Sequence, residues 1–227
     1  MQAQVRIRMC KRVQVLEIVA ERILRLPSDR VARVGVDGID GAGKTMFADE
    51  LAQILRVAGR PVIRASVDGF HRPKIERYRR GRHSPEGYFA DSYNYAALKA
   101  ALLDPLSPGG SGRYRMAVFD HVTDMPVFAP EREALPASIL IFDGIFLHRQ
   151  ELRDRWDFSI FLDVAFDVSV PRCAQRDGTS PDTAAAANRR YVEGQKLYLL
   201  ACDPRARATL AIDNNDLSAP FIVDTSS

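Results

Sequence analysis

Lysine is scarce in this 227-residue chain, occurring only at positions 11, 44, 74, 99 and 196, while arginine supplies the rest of a Lys+Arg total of 32. Cysteine is scarcer still: Cys10, Cys173 and Cys202 are an odd, widely scattered set. That argues against a disulfide framework or a zinc site and fits a reducing compartment. No apolar run reaches membrane-spanning length. The N-terminus carries Arg6, Arg8, Lys11 and Arg12 but no continuous apolar stretch with a small-residue cleavage site. A cytoplasmic location is therefore expected. The formal charge is only +3, which gives no general attraction to nucleic acid or to a membrane surface. Internal repeats and long low-complexity tracts are also missing.

A hydrophobic content of 46% over this length provides for a sizeable core in one α/β domain with an insertion or lid. Val13, Leu16, Val19, Ala20, Ile23 and Leu24 predict an amphipathic first helix that ends before Pro27. Strands are predicted at 31–36, 61–67, 113–119, 138–142, 158–162 and 209–212, and helices at 93–103, 150–156, 167–177 and 182–200. Residues 68–92, rich in Arg, Gly, Pro, His and Tyr, read as a long functional loop. The alternation implies a doubly wound, mostly parallel sheet, with ligands bound at the carboxyl ends of its strands.

Residues 38–45, Gly-Ile-Asp-Gly-Ala-Gly-Lys-Thr, carry the clearest chemistry. A strand precedes them, and Phe47, Leu51, Ile54, Leu55 and Ala58 follow at helical spacing. Strand, glycine loop and helix are the context that a phosphate-binding loop requires. Gly38, Gly41 and Gly43 let the backbone turn without a side chain in the way, and the loop N–H groups, from Asp40 and Ala42 included, face an anion at a helix N-terminus. Lys44 can reach terminal phosphates, and the Thr45 hydroxyl can bind Mg²⁺. Asp68 and Asp143 end two of the predicted strands, where a carboxylate can take a proton from an attacking hydroxyl or hold a metal. No Asn-Lys-x-Asp guanine-reading sequence is present, and the second acidic strand ends Asp143-Gly144, not Asp-Glu. Both absences favour phosphoryl transfer to a small molecule over a GTPase switch or a mechanical ATPase.

Five motifs in order resemble the uridine kinase, phosphoribulokinase and pantothenate kinase superfamily: Val34 to Thr45, Ser66 to His71, Phe119 to Asp124, Ile141 to Ile145 and Arg172 to Asp177. The resemblance runs through residues 31–215 and is strongest to uridine kinase-like proteins. It implies a P-loop nucleoside triphosphate hydrolase fold with a helical lid near 172–192, and a kinase domain over 28–227 behind an N-terminal helix in 1–27. It also implies ATP and Mg²⁺ as cofactors, with the metal at Thr45 and Asp143. Asp68 would be the group that orients or deprotonates the acceptor, Arg172 would lie beside the nucleotide, and Arg176 would steady charge in transfer. The acceptor would lie against Phe70, His71, Tyr88, Phe89, Asp120 and His121. The family's usual Arg-Gly-Arg is missing at 178–181, and Arg189 and Arg190 are the nearest substitutes. Phosphorylation of the 5′-hydroxyl of a pyrimidine nucleoside is the first expectation. A pantothenate or sugar kinase, and a nucleotide-binding regulator without transfer activity, stand as alternatives. The resemblance also suggests self-association of the chain.

Overall fold

The computed structural model describes residues 11–223. Arg6, Arg8 and Cys10 lie outside the described residues. In chain order the first elements are α1 (Lys11–Leu24), β1 (Ala32–Gly38), α2 (Lys44–Val57) and β2 (Val62–Ser66). A 3-10 turn (Val67–Phe70), α3 (Lys74–Arg77), α4 (Pro85–Asp91) and α5 (Tyr95–Leu98) follow, and α5 runs on into a π-helical turn at Lys99–Leu103. Four two-residue strands come next: β3 (Arg113–Tyr114), β4 (Phe119–Asp120), β5 (Met125–Pro126) and β6 (Arg132–Glu133). The chain then forms β7 (Ile139–Gly144), β8 (Phe158–Asp163), α6 (Phe166–Asp177), α7 (Ala186–Cys202), α8 (Pro204–Arg207), β9 (Leu210–Asp213) and β10 (Phe221–Val223).

The main sheet has the order β10-β9-β8-β1-β7-β2. Its first five strands in chain order run parallel, and only β10, at one edge, is antiparallel. β1 lies between β7 and β8, so the loop leaving it opens between the carboxyl ends of both neighbours. This is the doubly wound architecture expected from the sequence, and its ligand crevice belongs there.

The pleat divides the core in two. Ile139 and Ile141 of β7 join Val34, Val36, Ile160 and Leu162 under α1 and α2, while Leu140 and Phe142 point into a second cluster with Phe70, Leu98, Phe146 and Tyr198. A side-chain period of two sends alternate residues to opposite faces, and helices cover both. Val15, Leu16, Val19, Ala20 and Ile23 bring α1 into the first cluster, so the N-terminal helix is part of this core.

Three expectations are corrected. Residues 68–92 are not an unstructured loop but a 3-10 turn and two short helices, each with its own start: Ser66 Oγ accepts from Asp68 N, Pro73 precedes α3, and Ser84 Oγ accepts from Gly87 N at α4. Residues 113–119 contribute to two short antiparallel ladders, β3 with β6 and β4 with β5, in place of one strand. Only Arg153–Arg155 of the segment 150–156 is helical, as a 3-10 turn. No helix among the described residues is long and apolar enough to cross a membrane.

Phe142 is fully buried between Phe70 and Trp156, with ring centroids at 6.4 and 5.6 Å. Phe142→Ala should lower unfolding stability by about 3–5 kcal/mol through lost transfer energy and a residual cavity, read as a shift of the urea midpoint at unchanged slope.

Candidate active site

The carboxyl end of β1 is built around a buried acid. Asp37 Oδ1 accepts the Gly38 amide at 2.7 Å, and Oδ2 accepts the His148 amide at 3.2 Å, with His148 Nδ1 at 2.6 Å. The Tyr198 hydroxyl of α7 donates to the same oxygen. The glycine loop that follows is pinned residue by residue. Gln195 Oε1 accepts from Asp40 N at 2.7 Å, Arg172 donates to the Gly41 carbonyl at 3.4 Å, and Asn214 donates to the Ala42 carbonyl at 2.7 Å. Gly41 has a left-handed φ of 76°, and a Cβ there would run into the Ser169 carbonyl oxygen. Gly43, with φ 85°, is the N-cap of α2. Glycine satisfies both demands and an L side chain does not.

Lys44 Nζ donates to the Ile39 carbonyl at 2.8 Å, which lays the ammonium along the loop. Thr45 Oγ1 donates to Asp143 Oδ2 at 2.7 Å, and Arg64 Nη1 donates to Asp143 Oδ1 at 2.7 Å. Asp143 is buried, so its charge needs the guanidinium beside it. Thr45 and Asp143 offer hard oxygen donors of the kind Mg²⁺ takes, and no cluster of three His, Cys, Asp or Glu forms a protein metal cage among the described residues. That fits an ion shared with substrate phosphates and water.

A cavity of about 510 Å³ extends from this loop. Of the sequence-predicted residues, Asp40, Gly41, Lys44, Thr45 and Asp143 line its phosphate end. Asp68, His71, Tyr88, His121 and Arg176 line the same cavity. Gly38, Ala42 and Gly43 shape the loop from behind. Arg172 also lies behind it, donating to the Asn214 and Asn215 carbonyls at 3.2 and 2.6 Å.

Three residues expected beside the acceptor lie elsewhere. Phe70 is fully buried in the second core cluster. Phe89 packs edge-on to Phe146 at 5.5 Å, with the Arg149 guanidinium over its other side. Asp120 caps a hairpin turn, accepting from Val122 N and the Thr123 hydroxyl, which hold its carboxyl below the usual range. Arg176 is in the cavity wall but paired with its neighbour Asp177 at 2.7 Å.

Part of the cavity lining is aromatic. His71 stacks on His121 at 4.6 Å and tilts against Tyr93 at 4.5 Å, while its Nδ1 meets the Asp68 carbonyl at 3.0 Å. Burial pushes the His71 pKa down, opposed by the Asp68 hydrogen bond and charge. Burial pushes the Tyr88 and Tyr93 phenols well up, with Asp40 adding to both and Asp68 to Tyr93. Tyr88 donates to Asp40 Oδ2 at 2.6 Å. Arg190 is buried over the Tyr78 and Tyr88 rings.

Sequence reasoning passed over Asp37, Arg64, Tyr93, His148 and Gln195, while Arg77 was among the cations of the suspected acceptor loop. Only Tyr93, within an already suspected segment, carried a local signal.

The model of the phosphoribulokinase / uridine kinase family matches residues 33–183. The chain belongs to that family. It is 26% identical over 182 residues to a phosphoribulokinase from Synechocystis sp., covering 75% of this chain and 52% of that one. A uridine kinase from Deinococcus deserti is 25% identical over 195 residues, covering 83% and 90%. The solved structure of a possible uridine kinase from Bacillus stearothermophilus superposes with a TM-score of 0.69 at 22% identity, covering 88% of this chain and 97% of that one. The chain spans about half the length of the Synechocystis relative. The structural likeness supports the P-loop fold.

Arg64→Met would leave the Asp143 charge buried without its partner. A loss of roughly 3 kcal/mol of stability is expected, at the low end for buried pairs because Arg64 is partly exposed. Urea denaturation of the two proteins measures it.

Proposed function

We propose that this chain transfers the γ-phosphoryl group of Mg²⁺-ATP to a hydroxyl of a small acceptor, foremost the 5′-hydroxyl of a pyrimidine nucleoside. The observation that carries the reading is one cavity with Lys44 and the Thr45–Asp143 pair at one end and the Asp68 carboxylate in the same lining. Phosphoryl transfer needs little covalent chemistry from a protein; it needs in-line positioning and stabilisation of spread negative charge.

Each role follows from placement. The loop amides and Lys44 would cradle the β- and γ-phosphates once the ammonium exchanges the Ile39 carbonyl for phosphate oxygen. Thr45 and Asp143 would hold Mg²⁺, which when bound would offset negative charge on the phosphates. Asp68 would accept the proton of the attacking hydroxyl. Its backbone is fixed by Ser66 at 3.3 Å and His71 at 3.0 Å, which limits its swing. Arg176 would exchange Asp177 for the transferring phosphoryl group as the lid closes and water is excluded. The aromatic side chains of His71, His121 and Tyr93 in the lining suit contact with a pyrimidine ring. A reducing cytoplasm suits the free Cys173 and Cys202.

One observation favours a second acceptor class. Arg77 lines the same cavity, and its Nε is buried without a hydrogen-bond partner although Nη2 reaches Asp124 at 3.3 Å. A carboxylate or phosphate on the acceptor would satisfy it, which supports the pantothenate or sugar kinase reading. A regulator without transfer activity would bind ATP and turn nothing over.

Mass spectrometry of products from a panel of nucleosides, pantothenate and free or phosphorylated sugars separates these readings. Lys44→Ala should abolish turnover, and Asp68→Asn should lower kcat by roughly 10²–10⁴-fold with little change in Mg²⁺-ATP binding. Full activity in Asp68→Asn would overturn the assignment of the base.

A further inference from the structure

Asp40 puts a carboxylate inside a loop built to bind phosphate. Like charge opposes polyphosphate binding there, so this side chain calls for a compensating use. Its surroundings aim it away from a purely structural one. The Asp40 amide donates to Gln195 Oε1, and among the described residues no loop amide donates to the Asp40 carboxylate. Oδ2 accepts from Tyr88 on α4, and Asp40 enters no ion pair among the described residues. Its charge acts on Tyr93, which also feels Asp68, and on Cys173 and Arg176 across the cavity. Asp40 therefore sits where the phosphate end, the acceptor wall and the lid meet. With Tyr88 holding one oxygen, the other is left to the cavity that Asp40 lines.

We propose that Asp40 is a specificity-determining residue that accepts a hydrogen bond from a second hydroxyl of the acceptor, near the hydroxyl that is phosphorylated. The acceptor is then a polyol, either the ribose of a nucleoside or a sugar, and not an isolated alcohol. This rests on the kinase reading above and adds a requirement that reading does not make. The negative charge strengthens the hydrogen bond to a neutral hydroxyl, and Tyr88 fixes the carboxylate so that little order is lost on binding. A site built around such a bond rejects an acceptor that lacks the hydroxyl, because the half-buried carboxylate then loses its water without replacement.

The test compares kcat/KM for uridine, 2′-deoxyuridine and 3′-deoxyuridine in one arm, and for D-ribose and its deoxy analogues in the other. The unmodified chain should favour the full polyol by at least about tenfold over one deoxy analogue. Asp40→Ala should bring that ratio to within about threefold, through the KM for the acceptor, while the Kd for Mg²⁺-ATP measured by calorimetry does not rise. Tyr88→Phe should give an intermediate ratio. If Asp40→Ala does not melt cooperatively, Asp40→Asn keeps the shape, removes the charge and should still reduce the ratio severalfold. An unchanged ratio in the variants, no discrimination by the unmodified chain, or a weakened Mg²⁺-ATP complex with unchanged acceptor KM would overturn the assignment while leaving the kinase reading intact. Turnover of none of these acceptors by the unmodified chain would overturn the assignment, and turnover of nothing in the wider acceptor panel would overturn the kinase reading as well.

Discussion

A carboxylate with no exposure to water organises the active end of this molecule. Asp37 is completely buried, and an isolated charge in that position would be prohibitively costly. Its donors come from three places: the first glycine of the loop, the amide and ring of His148 after β7, and the Tyr198 hydroxyl of α7. Losing any one would expose the full desolvation cost of what remains. The network therefore fixes the loop's starting direction, the turn after β7 and the axial position of the helix that also supplies Gln195. The phosphate loop is pre-organised because the elements around it must satisfy this acid.

The same logic explains how charge is distributed across the site. Asp143 would repel phosphate if bare. Arg64 neutralises one oxygen and Thr45 occupies the other, so the carboxylate can share a cation without dominating the field. Arg172 is spent on loop carbonyls, and Arg176 rests on Asp177. Of the other lid arginines, Arg190 is already desolvated against aromatic rings in the cavity wall, where a cation acts in a low dielectric. Arg190 also donates to the Arg82 carbonyl, which ties the start of α7 to the segment before α4.

What was legible in the sequence follows from the range of the forces involved. The loop from Gly38 to Thr45 and its flanking strand and helix were readable because backbone conformation and hydrophobic period are local properties. Asp68 and Asp143 were readable as strand ends. Phe70 and Phe89 were misplaced because an aromatic within a functional segment gives no sign of which side of the chain it faces; tertiary packing sends both into the core. Arg64, His148 and Gln195 were missed because each meets its partner across a long stretch of chain, 79, 111 and 155 residues. Charged and polar residues on strands and helices look solvated until such partners are known. The short helices at 74–77 and 85–91 carry too little periodicity to stand out from loop.

His148 also shows why geometry must be read together with burial. Its Nδ1 lies 2.6 Å from Asp37 Oδ2 and its Nε2 lies 3.0 Å from Ser159 Oγ, the spacing of an acid, a base and a nucleophile in an acyl-transfer enzyme. The resemblance ends there. All three residues are buried, and the Ser159 hydroxyl already accepts the Thr209 amide at 3.1 Å. No acyl group could reach that oxygen without opening the β8–β9 seam, and the constellation lies behind the loop, not in the cavity wall. Its chemistry is that of hydrogen-bond satisfaction: imidazole, able to present a donor on one nitrogen and an acceptor or donor on the other, bridges the acid under the phosphate loop to the neighbouring strand. The polar network thus holds the glycine loop still, and none of its three members lines the cavity.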